Sequence, residues 1–219
     1  GRQGQGESDA DFGYAVAIGY QAAMTNQGNR AVAIGEGSGG YEQGRRAVAI
    51  GREAGKTEQA DFAVAIGQAA GKTSQGAQSI AIGRDAAVAS QGTNAVAIGH
   101  AAGNLAQSQD AVAIGYFAGR TSQGISAVAI GDEAGESNQG DYSIAIGLQS
   151  GFRGQLNNAV AVGRSSGYTN QGANSVAVGH LAGSEDQSTE SVAIGPSAAR
   201  YNQGSQSVAI GHDSARTGQ

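Results

Sequence analysis

The block Ala-Val-Ala-Ile-Gly, first met at Ala15, returns in the same register every sixteen residues, thirteen times, with no insertion. It restarts, with Ser for Ala or a Val/Ile exchange in places, at Ala31, Ala47, Ala63, Ser79, Ala95, Ala111, Ala127, Ser143, Ala159, Ser175, Ser191 and Ser207. A fixed short period without gaps is the signature of a solenoid. In such a chain each unit touches mainly its neighbours. Function is then expected along an extended surface and not in a single pocket.

The positions of each unit are numbered here as slots, with Ala15 in slot 1. Slot 3 is always Ala, slot 5 always Gly and slot 13 always Gln. Slots 2 and 4 hold only Val or Ile, slot 8 Ala or Ser, slot 9 Gly or Ala, and slot 14 mostly Gly. Slots 1 to 4 read as a strand, because Val and Ile favour the pleated conformation. Helix is opposed by the near-fixed glycines. Gly in slot 5 and the Gln-Gly pair in slots 13 and 14 suggest two turns, with a second, weaker strand over slots 7 to 11. The expected fold is all-β: a parallel β-solenoid of thirteen two-stranded, 16-residue coils over residues 15–219. At ~4.8 Å per coil it makes a rod roughly 60 Å long. Residues 1–14 are expected to be an irregular N-terminal coil remnant or cap.

Side chains alternate along a strand, so slots 2 and 4 face one way and slots 1 and 3 the other. Both sets are apolar or small, which implies burial on both faces. Ala in slots 1 and 3 suits a narrow coil interior, opposite the small residue of slot 8. The outer stripe is then Val16, Ile18, Val32, Ile34, Val48, Ile50, Val64, Ile66, Val96, Ile98, Val112 and Ile114, and it continues in later units. An apolar patch of that size exceeds what a monomer exposes, so the chain is expected to pack against itself as a homotrimer. The reverse assignment, with Val and Ile inside, would permit a monomer. The Gln column is expected to form a stacked amide ladder of the kind seen in cross-β assemblies. Its members are Gln27, Gln43, Gln59, Gln75, Gln91, Gln107, Gln123, Gln139, Gln155, Gln171, Gln187 and Gln203.

Composition narrows the function classes. With Gly 38 and Pro 1, collagen is excluded. There is no cysteine, hence no disulfide framework and no thiolate metal site. A net charge of −5 argues against a nucleic-acid partner. No apolar stretch approaches the ~20 residues needed to cross a bilayer, so no membrane insertion is expected within this segment. The chain lacks a starting Met and a signal peptide and stops mid-unit at Gln219, and so reads as a piece of something longer.

The block, followed by a small residue and a Gly turn, resembles the head repeats of trimeric autotransporter adhesins, the YadA-like heads. The string Ser-Val-Ala-Ile-Gly occurs literally at Ser191–Gly195 and Ser207–Gly211. The resemblance covers residues 15 to 219. It implies a left-handed parallel β-roll, three chains side by side, and attachment at a cell surface. Related repeats resemble parts of phage and algal-virus fibre proteins. The fixed Gln-Gly of slots 13 and 14 departs from the adhesin pattern, so bacterial head and viral fibre both stay open, and no receptor residues carry over.

Little chemistry is expected. His100, His180 and His212 all fall in slot 6, five and two coils apart, roughly 24 and 10 Å. That is too far for shared metal ligation or a catalytic pair. Gly35-Glu36-Gly37-Ser38-Gly39-Gly40 matches G-x-G-x-x-G but is built from repeat glycines and has no helix to follow it. Gly51 to Thr57 and Gly67 to Thr73 fall one residue short of a phosphate loop. No enzyme activity and no cofactor or metal is therefore expected. The competing class is an ice-binding solenoid, with slot 11 supplying Thr25, Thr57, Thr73, Thr121, Thr169 and Thr217. Tyr41, Leu105, Arg153 and Glu185 interrupt that column. The aromatics Tyr20, Tyr116, Phe117, Phe152, Tyr168 and Tyr201 are expected on the outer surface or its turns, as contacts for a host-surface or matrix protein or a glycan. The chain as a whole reads as a structural or adhesive segment of a trimeric fibre at a cell or virion surface, or as a fibre shaft with no ligand of its own.

Overall fold

A computed structural model describes residues 14–218. The fold is an all-β parallel β-solenoid, with no helix among the described residues. The chain forms two compact units that divide between Asp110 and Ala111.

In the first unit, strands from Val16–Ile18 to Val96–Ile98 form one parallel sheet and strands from Thr25–Gln27 to Leu105–Gln107 the other. Identical slots stack: Val16 lies beside Val32, Ala17 beside Ala33 and Ile18 beside Ile34. In the second unit, strands from Val112–Ile114 to Val208–Ile210 repeat the first arrangement. The second strand is regular at Thr121–Gln123 and Ser137–Gln139 and then thins to single bridges, from Ser137–Arg153 to Tyr201–Thr217.

Two expectations change. Twelve coils are complete and not thirteen: the last unit, from Ser207, ends at Gln219, which lies outside the described residues, as does nearly all of the segment 1–14. The second strand occupies slots 11 to 13, as in Thr57–Gln59, and not slots 7 to 11. Slots 6 to 9 are a turn because the backbone is left-handed at slots 7 and 9, with φ 57° at Glu53 and 50° at Gly55. Alternate left-handed residues cannot propagate a strand. The invariant Gln therefore sits in a strand, and the other turn lies just past it.

The interior is made of small residues. Ala31 and Ala33, in slots 1 and 3, are fully buried, as is Ala54 of slot 8. Val32 and Ile34 point outward and are half-buried. The side-chain faces are therefore those with alanine inside; the reverse assignment is not the one adopted. Slot 5 shows why the coils stack so closely. Gly35 has φ 125°, and a Cβ there would lie 2.6 Å from the carbonyl oxygen of Gly51. Only glycine fits that approach at that φ.

Candidate functional site: the outer stripe, its edges and the glutamine brace

Interior geometry fixes the outer face. Each slot 13 glutamine from Gln27 to Gln203 reaches across the coil and donates to the slot 2 carbonyl of the opposite strand. Gln59 Nε2 lies 2.9 Å from Val48 O and 3.1 Å from Gln75 Oε1. In the first unit side-chain amides link Gln43, Gln59, Gln75, Gln91 and Gln107 in series. In the second they link Gln123, Gln139, Gln155 and Gln171, then Gln187 to Gln203. Gln27 donates to Val16 O at 2.9 Å. Gln43 Oε1 and Gln187 Oε1 are buried without a partner, and each begins a run. A buried amide is best retained when its groups are satisfied, and this column both stacks the coils and joins the two strands of each.

The brace holds slots 2 and 4 outward. In the first unit the stripe runs from Val16 and Ile18 through Val32, Ile34, Val48, Ile50, Val64 and Ile66 to Val96 and Ile98; in the second it starts at Val112 and Ile114. Away from the chain ends its members are half-buried by their coil neighbours. Ile66, Ile130, Ile146 and Ile194 still show 36–38% of their surface. The stripe is a continuous aliphatic surface within each unit, bordered on one side by the slot 5–7 turn and on the other by the slot 14–16 turn.

Those turns carry side chains that sequence reasoning passed over. Phe62, Ile125, Tyr142 and Leu156 are exposed on the slot 14–16 edge, and Leu148 on the slot 6 edge. The only signal for them was a large apolar residue in a slot that is polar, or for Leu156 glycine, in most other units.

The six aromatics singled out as contacts are largely engaged within the chain. Phe152 and Tyr168, in slot 10 of adjacent coils, stack with centroids 5.0 Å apart and planes 5° apart. The Arg153 guanidinium lies 4.8 Å above the Phe152 ring, and that of Arg200 lies 4.9 Å above Tyr201. Phe117 meets Tyr116 at 4.1 Å and Arg120 at 4.4 Å. Ring faces covered in this way cannot also stack on a ligand, though their edges remain available. Tyr20 is 72% exposed.

Charged side chains pair along the coils. Glu53 Oε1 meets Lys56 Nζ at 2.7 Å and Glu53 Oε2 meets Lys72 Nζ at 3.0 Å. The hydrogen bonds from the two lysines hold the Glu53 carboxyl at about 2 against burial, which acts to raise it. At Asp61 burial raises the carboxyl, but the main-chain N–H and guanidinium of Arg45 outweigh it and leave the group below its ordinary value. Arg84 Nη2 lies 2.6 Å from His100 Nε2. His212 lies 3.4 Å from Asp213, and His180 is exposed. Among the described residues no three His, Asp or Glu side chains converge as metal ligands. No helix there is long and apolar enough to cross a membrane. A shallow hollow of about 290 Å³ beside Asn170, Asp186, Thr189 and Ser205 is polar and holds no catalytic constellation.

The family model for the YadA head domain repeat matches the chain twice, over residues 74–102 and 90–118. The two matches start one sixteen-residue period apart. No curated protein matches the chain. No solved structure matches it.

Proposed function

We propose that this chain, whose repeats are YadA-like head repeats, is a segment of an adhesin-like surface fibre in which three copies pack through their Val/Ile stripes. The observation that carries the reading is the stripe itself. Among the described residues nothing beyond the adjacent coils covers slots 2 and 4, and alternation sends every Val and Ile of the first strands to that one side. Association along the stripe removes the aliphatic surface from water, which is the dominant favourable term in such packing. Three copies would leave the slot 10–12 surfaces on the outside, repeated three times over.

Attachment in this reading is mechanical and multivalent. A host-surface or matrix protein, or a glycan, meets many weak contacts at once, and linked contacts raise avidity without any single strong site. The segment works outside the cell. No covalent step is needed, and no residue is assigned a catalytic role. A viral fibre shaft would use the same trimer without a ligand. The ice-binding reading is not favoured, because Tyr41, Leu105, Arg153 and Glu185 break the slot 11 column.

Sedimentation equilibrium tests the reading. A trimer has three times the 21.6 kDa of the chain, about 65 kDa. A monodisperse species of 21.6 kDa at micromolar concentration would overturn it.

A further inference from the structure

We infer that the contact between copies is anchored at one row of the stripe, Tyr142, Ile144, Ile146 and Leu148, where the apolar surface runs from one turn edge to the other. The inference rests on the trimeric reading above and names the residues that hold the copies together most tightly.

The side chains of slot 16 and of the following slot 6 stand at the two ends of the same first strand, and they decide how wide its outer apolar face is. In most coils at least one end is polar. Val48–Ile50 lies between Arg46 and Arg52, and Val64–Ile66 between Phe62 and Gln68. Only two first strands have a large apolar or aromatic side chain at both ends: Val16–Ile18, between Tyr14 and Tyr20, and Ile144–Ile146, between Tyr142 and Leu148. The former adjoins residues 1–13, outside the described part of the chain. The latter has described coils on both sides, and its row is still open: Tyr142 is 60% exposed, Ile146 37% and Leu148 42%.

The apolar surface also extends along the stack. Ile130 lies beside Ile146 in the parallel register. Ile125, Tyr142 and Leu156 sit on consecutive turns of one edge, where Tyr142 N donates to Ile125 O at 2.8 Å and Asn158 N to Asp141 O at 2.9 Å. All three side chains are exposed. The whole patch lies within the second compact unit. Contiguous apolar exposure of this kind marks a site of association.

The occupant is a second copy of the chain. Ile144 and Ile146 belong to the stripe, so whatever covers the stripe also meets the side chains at the ends of this strand. A closed ring of three copies about an axis along the stack sets the same coil of each copy at one height. There the row meets its own equivalents, apolar against apolar. At the level of Val48–Ile50 the same symmetry gathers the exposed Arg46 and Arg52 of all copies, and like charge confines the contact to the stripe itself. A water-excluding apolar centre carries most of the energy of an interface.

Tyr142→Ser together with Leu148→Gln in the full chain, read by sedimentation equilibrium, tests this. Ser126 and Gln68 already occupy those slots, and Ser126 has φ 54° against 58° at Tyr142, so the coil accepts both replacements. The double variant is expected to raise the concentration at which the trimer half-dissociates by at least about tenfold. Phe62→Gln alters a strand whose other end is already polar, and is expected to stay within about threefold of the parent. Far-ultraviolet circular dichroism of both variants checks that the coils are intact. If the double variant dissociates as the parent does, the row lies outside the contact while the stripe stands. If Phe62→Gln weakens the trimer as much as the double variant, no single row anchors it. A monomeric parent overturns both the anchor and the trimeric reading.

Discussion

The side-chain nitrogen of Gln59 donates across the coil interior to the carbonyl oxygen of Val48, at 2.9 Å, and in the same line to Gln75 Oε1 at 3.1 Å. One residue thereby ties the second strand to the first and one coil to the next. Replacing it tests whether the column is structural. Gln59→Leu removes both bonds and the one that Gln59 Oε1 accepts from Gln43, and leaves Gln75 Oε1 a buried acceptor without a donor, at a cost of about 1–3 kcal/mol. Guanidinium denaturation should show that loss, while Ser74→Ala in the next coil, which removes only an exposed hydrogen bond to Glu58, should stay within about 0.5 kcal/mol of the parent.

Two glycines four residues apart should respond differently to alanine. At Gly67 a Cβ would meet the main-chain oxygen of Gly83 at 2.5 Å, with φ at 128°. Backbone cannot yield there, and a loss of at least about 2 kcal/mol is expected. At Gly71 the Cβ would meet Gln75 Oε1 at 2.6 Å, with φ at 52°. Ala23, Ala87, Ala199 and Ala215 already occupy that slot at φ 43–47°. Gly71→Ala should therefore cost only about 1 kcal/mol. Equal losses for the two, measured by thermal unfolding, would contradict the stacking argument.

Pro196 indicates where the backbone tolerates a fixed φ. Its carbonyl accepts from Asp213 N at 3.0 Å, as that of His180 accepts from Ser197 N at 2.8 Å, so proline in slot 6 leaves the pattern intact. Gln68→Pro, in the same slot of another coil, should keep or raise stability by up to about 1 kcal/mol. One residue on, Ala69 has φ 56° and its N–H donates to Arg52 O at 2.9 Å. Ala69→Pro breaks both conditions, and a loss of about 3 kcal/mol or more is expected from denaturation curves.

The first strand and its faces could be read from sequence because Val and Ile sit in alternate slots and the intervening Ala is invariant. The second strand could not. Its middle residue is left-handed, with φ 56° at Glu58, so only slots 11 and 13 pair, as Thr57 with Thr73 and Gln59 with Gln75. Two paired residues on either side of a polar one carry no period for hydrophobicity to report. The invariance of slot 13 marked the glutamine as structural. Its target did not follow, because the Val48 carbonyl lies eleven residues back and is met only once the coil closes. The outer contacts were least legible, since whether Phe152 offers its ring or stacks it on Tyr168 depends on what the adjacent coil places in the same slot.

Glu53 gives the chain a defined acid sensitivity. Its carboxyl titrates near 2 in the folded chain, held down by Lys56 and Lys72, against an ordinary value of 4.5. A depressed carboxylate contributes stability above the unfolded value and loses it as pH falls through the folded one. The contribution is therefore full above about pH 5 and gone near pH 2. The ion pairs are partly solvated, so about 1 kcal/mol is expected after screening. The stability difference between the parent and Glu53→Gln should shrink across that window, and also in 1 M salt. A difference independent of pH would mean the lysines act by packing alone.

Neighbouring residues on one strand should separate folding from assembly. Ala65 is fully buried inside the coil, whereas Ile66 beside it is 36% exposed on the stripe. Ala65→Asp puts a carboxylate into an alanine interior with no partner, and the charge cannot be accommodated without opening the coil. Loss of β-sheet circular dichroism is expected. Ile66→Asp leaves that interior untouched and adds a solvated carboxylate to the single chain. In the trimer it would bring three carboxylates together in a dry aliphatic seam, where like charge and desolvation both oppose association. The expected product is a folded monomer of 21.6 kDa with the parent's far-ultraviolet spectrum. An Ile66→Asp protein that remains near 65 kDa would place the stripe outside the interface and move the contact to another face of the coil.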